Sequence, residues 1–272
     1  METSFRTLAE LCSKLEATSK RTLMVNLVAT FLKDLNLEEV EPATSMILGR
    51  VFPKWDSRSL EISWSTLRET IRGITQVDWQ DYIDAYSRTG DVGAAAEAVF
   101  AMSKIRKQTM LVDRPLTILE VRCDLEAVAN ATGSGSRERK GRLLKTLMGR
   151  TTPLEAKYLV KVIAGEMRTG FHEGLMELAV SKAFAVPQEL VRKASMLVGD
   201  IAEVATTAKS KGIRGVQKFQ FRVFRPIRPM LAQMAESLST ALKEHGGTTA
   251  FEFKLDGARV QIHKLDAAVK IY

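Results

Sequence analysis

Lys254 stands in FEFKLDGARVQIHK (residues 251–264), two residues before Asp256-Gly257 and five before Arg259. A lysine amine is a strong nucleophile once it is neutral. Its ordinary pKa of about 10.4 means that neighbouring cations or desolvation must free the lone pair. Alternation along a strand predicts Phe251 and Phe253 on one face, toward a core, with Glu252 and Lys254 on the other. Past a turn at Asp256-Gly257, Val260 and Ile262 resume the inward face. Acid, amine and Arg259 then converge on one polar pocket over an apolar floor. The alternative is a surface hairpin with an exposed lysine beside an Asp-Gly turn.

Two further stretches have the make-up of anion-binding turns. Thr132-Gly133-Ser134-Gly135-Ser136 precedes a basic helix containing Lys140. Small residues there let backbone N–H groups and the helix dipole approach a phosphate. Gly165-Glu166-Met167-Arg168-Thr169-Gly170 repeats the arrangement between two helices. The alternative for each is an ordinary interhelical loop with glycine caps. Gly-Lys-Ser/Thr does not occur, which disfavours a P-loop NTPase. His172, His245 and His263 are scattered, so a structural zinc site is not expected. His172-Glu173 lacks a second histidine at zincin spacing and reads as a helix start.

The elements that must position these residues are mostly helical. Phe5, Leu8, Leu11 and Leu15 recur at helical spacing, as do Leu23, Leu27, Phe31 and Leu35. Further stripes run over 94–105, 143–147, 159–167, 175–184 and 190–198. Thr152-Pro153-Leu154-Glu155 predicts a capping box with proline at the first helical position. Asp200 with Glu203 offers a weaker copy, and Pro187 opens another helix. Trp55, Trp64 and Trp79 are expected to pack in the helical core. After Gly212 the helical period is lost, with an extended segment expected over 218–224. A short helix over 234–244 is expected to end at His245-Gly246-Gly247. Strands are expected over 250–254, 258–264 and 268–272, the last two joined through Leu265, Asp266 and Ala267. The fold class is therefore mainly α: a helical domain over 1–212, a basic linker over 213–228, and the start of an α+β domain over 229–272.

Composition agrees with a globular chain, 45% hydrophobic and 26% charged. No apolar run approaches the roughly 20 residues that cross a bilayer, and the N-terminus lacks a signal peptide's apolar stretch. Cys12 and Cys123 suggest no disulfide framework and point to a reducing, intracellular setting. The net charge of +8 favours a polyanionic partner. Its distribution strengthens that: 204–230 carries Lys209, Lys211, Arg214, Lys218, Arg222, Arg225 and Arg228 without an acid, and 137–150 holds six bases against Glu138.

The K-x-D-G-x-R pattern of Lys254, Asp256, Gly257 and Arg259 resembles the nucleophile motif of covalent nucleotidyltransferases. ATGSGSRERKGRLLKTLM (131–148), EAKYLVKVIAGEMRTGFHEG (155–174) and RPIRPMLAQMAE (225–236) resemble successive landmarks of ATP-dependent DNA ligases of the archaeal and eukaryotic replicative type. From about residue 100 onward the likeness rests on motifs, and before that on helical character alone. It implies a helical DNA-binding domain ahead of an adenylation domain, with ATP and Mg²⁺ as cofactors. It implies that Lys254 attacks the α-phosphorus of ATP to form lysyl-AMP, that Glu252 contacts adenine and Arg259 the sugar-phosphate side, and that Asp256 shapes the turn. By the same resemblance Gly133, Ser134, Gly135, Ser136, Lys140, Gly165, Arg168 and Gly170 approach the backbone of nicked duplex DNA without reading bases. A monomer is expected, in cytoplasm or nucleus according to host, with a sliding clamp as a further partner and no membrane. The family's later motifs are absent, so the chain reads as the front part of a longer ligase. Lys254 is not expected to self-adenylate within it. The other reading is a non-catalytic DNA-binding protein with a vestigial lysine strand.

Overall fold

A computed structural model describes residues 2–53, 55–56, 58–103, 114–228, 234–253, 256–258 and 260–272. Among them are thirteen helices and one two-stranded antiparallel sheet, so the fold is mainly α as the periodicity predicts.

The N-terminal helix α1 (Phe5–Glu16) starts at Ser4, whose hydroxyl accepts from the Thr7 N–H, and buries Phe5, Leu8, Leu11, Cys12 and Leu15. Then follow α2 (Arg21–Asp34) and α3 (Leu37–Ile47), the latter opened by a capping box of Asn36 and Glu39. Glu39 is fully buried and also accepts from the Thr3 hydroxyl, tying α3 to the chain start. Ser63 caps α4 (Trp64–Thr75), Asp78 caps α5 (Trp79–Thr89) and Asp91 caps α6 (Val92–Met102). A second strong capping box, Thr117 with Glu120, begins α7 (Ile118–Asn130). The basic α8 (Ser136–Gly149) follows. Next comes α9 (Pro153–Ala164), where the predicted box of Thr152 and Glu155 is present with Pro153 at the first position. His172 precedes α10 (Glu173–Phe184), and Pro187 precedes α11 (Gln188–Val198), both as expected.

The core is one continuous apolar cluster drawn from nearly all of these helices. Its tightest crossing sets α6 on α9. A Cβ at Gly93 would lie 2.6 Å from the Lys157 carbonyl oxygen and 2.6 Å from Lys161 Cγ, so no larger residue fits without moving backbone. Lys161 is only 1% exposed, yet its ammonium meets Asp91 at 2.7 Å, the Glu16 carboxylate and the Met167 carbonyl. A buried charge survives only with such partners. Cys12, wholly buried beside Glu16, has its thiol pKa pushed up by burial and then by that carboxylate, whereas Cys123 on α7 is exposed.

Several expectations are corrected. Asp200 caps α12 (Ile201–Val216) through the Ala202 N–H, but Glu203 does not fold back; it turns outward to arginines of the following segment. Helical turns continue past Gly212 to Val216, although Gly212 itself is non-helical (φ 56°, ψ −153°). Residues 219–222 form no strand. The helix expected over 234–244 is only α13 (Leu238–Glu244), because Ser237 caps it at Thr240; it buries no residue. Gly246 and Gly247 follow it at φ 72° and 90°, as the glycine pair predicts. Trp64 is not a core residue. It is 47% exposed and, with Trp79, Tyr82, Ile83, Tyr86 and Val92, lines an apolar groove of about 370 Å³. Trp79 and Tyr82 stack there with centroids 4.2 Å apart.

The strand pattern is shorter than predicted. β1 (Ile262–Leu265) and β2 (Ala268–Ile271) pair antiparallel with Leu265 opposite Ala268, so the turn is Asp266-Ala267. Residues 250–253 are irregular. Phe251, Phe253, Val260 and Ile262, expected inward, are all exposed, because no second layer among the described residues covers that face. A lone hairpin supplies no core of its own.

Candidate nucleic-acid interface

The first predicted turn is built by two left-handed glycines, Gly133 (φ 78°) and Gly135 (φ 72°), the latter at the N-cap of α8. No side chain among the described residues caps that helix; beyond the Ser136 N–H, its first-turn amides stand at the positive end of the dipole. Among the described residues no atom lies within 4 Å of where a Cβ would stand at either glycine, so the turn is open on that side. Arg139 braces it from behind, donating to the Thr132 carbonyl at 2.5 Å. Ser134 and Ser136 lie in the same turn, Ser136 donating its N–H to the Gly133 carbonyl.

Lys140 departs from expectation. Its side chain turns inward, with Nζ 2.9 Å from the Leu60 carbonyl and 3.4 Å from Glu61, leaving the residue only 5% exposed. Lys140, Leu144 and Leu147 share the buried stripe of α8, and that spacing was the available signal. The cations that α8 does present outward without a partner among the described residues are Arg142 and Lys145, both exposed.

The second turn follows α9. Gly165 closes the helix at φ 72°, Arg168 (φ 49°) and Gly170 (φ 70°) are also left-handed, and the Glu166 N–H bonds back to the Lys161 carbonyl. Arg168 pairs with Glu166 at 2.7 Å and donates to the Gly90 carbonyl. Half its side chain remains exposed, so a phosphate would have to compete with Glu166 for it.

The basic segment after α12 is largely tied down, which its acid-free sequence does not reveal. Arg222 meets Glu203 at 3.1 Å and Arg225 pairs with the same carboxylate while covering the Trp55 ring. Arg228 binds Glu173 at 2.7 Å and the Gly199 carbonyl, and Glu173 also holds Arg50. Lys209 donates to the last carbonyls of α2, Leu32 and Lys33. The acids come from α10 and from the start of α12, outside the run of bases.

Lys254 and Arg259 lie outside the described residues. Glu252 and Asp256 are exposed on irregular chain, with no partner among the described residues. No group of three or more His, Cys, Asp or Glu side chains that could hold a metal ion occurs among the described residues. The hairpin beyond them is docked by side chains that sequence reasoning missed. Gln261 accepts from the Ile227 N–H at 2.9 Å, His263 Nδ1 accepts from the Phe224 N–H at 2.9 Å, and the Tyr272 hydroxyl donates to the Phe224 carbonyl at 2.6 Å.

An array of first-turn helix amides, glycine turns and unpaired cations on a helical scaffold is suited to a nucleic-acid backbone, and comparison with known proteins gives the same class. Residues 4–181 match the DNA ligase N terminus family, and residues 229–272 match the ATP dependent DNA ligase domain. The DNA ligase of Thermococcus fumicolans is 41% identical over 265 residues, covering 97% of this chain and 47% of the relative. That of Methanopyrus kandleri is 38% identical over 268 residues (98% and 48%), and that of Archaeoglobus fulgidus 38% over 269 residues (98% and 48%). The chain belongs to the ATP-dependent DNA ligase family. It spans about half the length of the curated relatives it matches.

Proposed function

We propose that this chain is the DNA-gripping and nucleophile-bearing part of a nick-sealing, ATP-dependent DNA ligase. The observation that carries the reading is the order of its parts: a helical region matching the ligase N terminus, then a stretch matching the ATP dependent domain that contains Lys254-Leu255-Asp256-Gly257-Ala258-Arg259. In this reading the helical domain covers 1–212 and the linker 213–228, and the remainder begins the adenylation domain.

The chemistry divides accordingly. The Lys254 amine attacks the α-phosphorus of ATP, forming the N–P bond of lysyl-AMP as the bond to pyrophosphate breaks. The AMP then passes to the 5′-phosphate of a nick, and the 3′-hydroxyl displaces it to close the strand. Glu252 and Arg259 recognise the nucleotide, Asp256 sets the turn, and Mg²⁺ is the expected metal. The glycine turns at 133–136 and 165–170, with Arg168, seat the duplex by its phosphates. Backbone contact suits a sealer that must accept any sequence. Lys140 is left out of the DNA contacts because its ammonium is satisfied inside the protein. A sliding clamp remains a proposed partner from the family resemblance.

Fluorescence anisotropy with a nicked duplex tests the gripping half. Binding should be indifferent to base sequence and should weaken steeply between 50 and 200 mM salt, as phosphate contacts require. Affinity that ignores salt, or follows one base sequence, would refute it. For the catalytic half, peptide mass mapping is done on a polypeptide of the relatives' length after incubation with ATP. AMP should be found on Lys254 and be lost in Lys254→Ala; an adduct elsewhere, or none, removes the proposal.

A further inference from the structure

We propose that the cleft at the end of α12 is a third backbone-phosphate site for duplex DNA, formed by Lys211, Arg214 and Lys218 with Arg222 at its edge. It rests on the DNA-binding reading above and adds contacts that neither glycine turn supplies. Seven cations lie between residues 204 and 230, and the structure sorts them. Lys209, Arg222, Arg225 and Arg228 all have protein partners. Lys211, Arg214 and Lys218 have none among the described residues and all three are exposed.

These three converge. With Thr207, Gly215, Arg222 and Glu203 they line a single cleft of about 570 Å³. Two glycines create it. Gly212 breaks the helix at φ 56°, a conformation that side chains resist. Gly215 then folds the next turn so closely onto the first that a Cβ there would stand 2.4 Å from Lys211 Cβ and 3.0 Å from Thr207 Cγ2. The result brings Arg214 and Lys218 alongside Lys211 rather than continuing a straight helix.

Four cations against the single carboxylate of Glu203 leave the cleft net positive by three charges (4 − 1). Glu203 is already engaged by Arg222 and Arg225, so it opposes an incoming anion weakly. The helix end contributes partial negative charge, so the side chains and not the dipole must attract the ligand. Lysines act as point charges and the guanidinium as a two-pronged donor. That set fits successive phosphates of one strand. Arg222 is the reserve member: a phosphate beside it competes with Glu203 for the guanidinium.

The test measures anisotropy of a nicked duplex against KCl concentration for the 272-residue chain. The variant K211Q/R214Q/K218Q should lower the slope of log K against log salt by two to three, at about one per phosphate contact, and weaken binding roughly ten- to a hundredfold at low salt. A control with the same charge change elsewhere, K14Q/K20Q/R21Q, should leave the slope within about half a unit of wild type. Glu203→Gln should tighten binding a few-fold, a gain that misfolding cannot produce. An unchanged slope in the triple variant, or an equal fall in the control, overturns the site while leaving the DNA-binding reading intact. Wild-type protein that does not bind duplex at all removes the broader reading. Tripolyphosphate that binds the wild type but not the triple variant, with an unaltered DNA slope, would assign the cleft to free anions and also overturn the proposal.

Discussion

The helices up to α12 and the stretch from 234 to 272 follow the same sequence rules and reach opposite outcomes. Phe5 begins an amphipathic helix and is completely buried; Phe253 sits in an equally clear alternating pattern and is 94% exposed. The helical region offers each apolar stripe a facing helix, as α9 does for α6 and α2 for α10. The later stretch offers its apolar face nothing among the described residues, and its hairpin is held instead by hydrogen bonds between Gln261, His263 and Tyr272 and the backbone of Phe224 and Ile227. Patterning announces which face is apolar; a second layer decides whether that face becomes a core.

The same substitution made in both regions tests this contrast most severely. Phe5→Ala should cost about 3–5 kcal/mol of unfolding free energy, the range for deleting a buried ring. Phe253→Ala should change it by no more than about 0.5 kcal/mol, as at other exposed positions. Denaturant titration followed by circular dichroism reads both, and comparable losses would abolish the distinction. Next comes Lys161→Ala, which takes the buried cation from the Asp91 carboxylate and leaves Glu16 only its pair with Lys157. A loss of about 3–5 kcal/mol is expected.

Smaller effects sharpen the picture. Thr152→Ala removes a cap that docks on the core and should lose about 1 kcal/mol. Ser237→Ala removes an equivalent cap on α13, which buries nothing, and should leave the cooperative unfolding midpoint unmoved. The smallest effect is pH-dependent. Burial pushes the Asp91 carboxyl up, but hydrogen bonds from Lys161 and the Ala94 N–H outweigh it and hold the pKa below the usual carboxylate value. A depressed folded-state pKa contributes stability that is present above the ordinary value near 3.8 and lost as pH falls through the lowered one. Asp91→Asn should therefore flatten the decline in stability on acidification below that value, measured as melting temperature against pH. An unchanged acid slope would show that Asp91 is not the group responsible.

Local signals of the fold were legible where they were complete. Thr152, Pro153 and Glu155 carry every atom of their capping box, and Gly246-Gly247 supply the left-handed exit from α13. Asn36 with Glu39 and Thr117 with Glu120 were equally readable and mark helices that apolar spacing alone did not single out. Charge was harder. Lys140 and Lys161 look like surface bases, and only their place on buried stripes beside Leu144 and Tyr158 betrays that they point inward. The arginines at 222, 225 and 228 are neutralised by Glu203 and Glu173, acids that a run-by-run reading assigns elsewhere. Of the candidate site, the glycine turns lie where the sequence places them. Whether they touch DNA depends on a partner's phosphates, which chain periodicity does not encode.

The unequal burial of the two thiols gives the chain a practical asymmetry. Cys12 lies on the buried face of α1 with its proton held on, so a maleimide dye applied to the folded protein should attach to Cys123 alone. One fluorophore on α7 would then report, without any engineered cysteine, how far the helical body lies from a dye placed on a bound oligonucleotide.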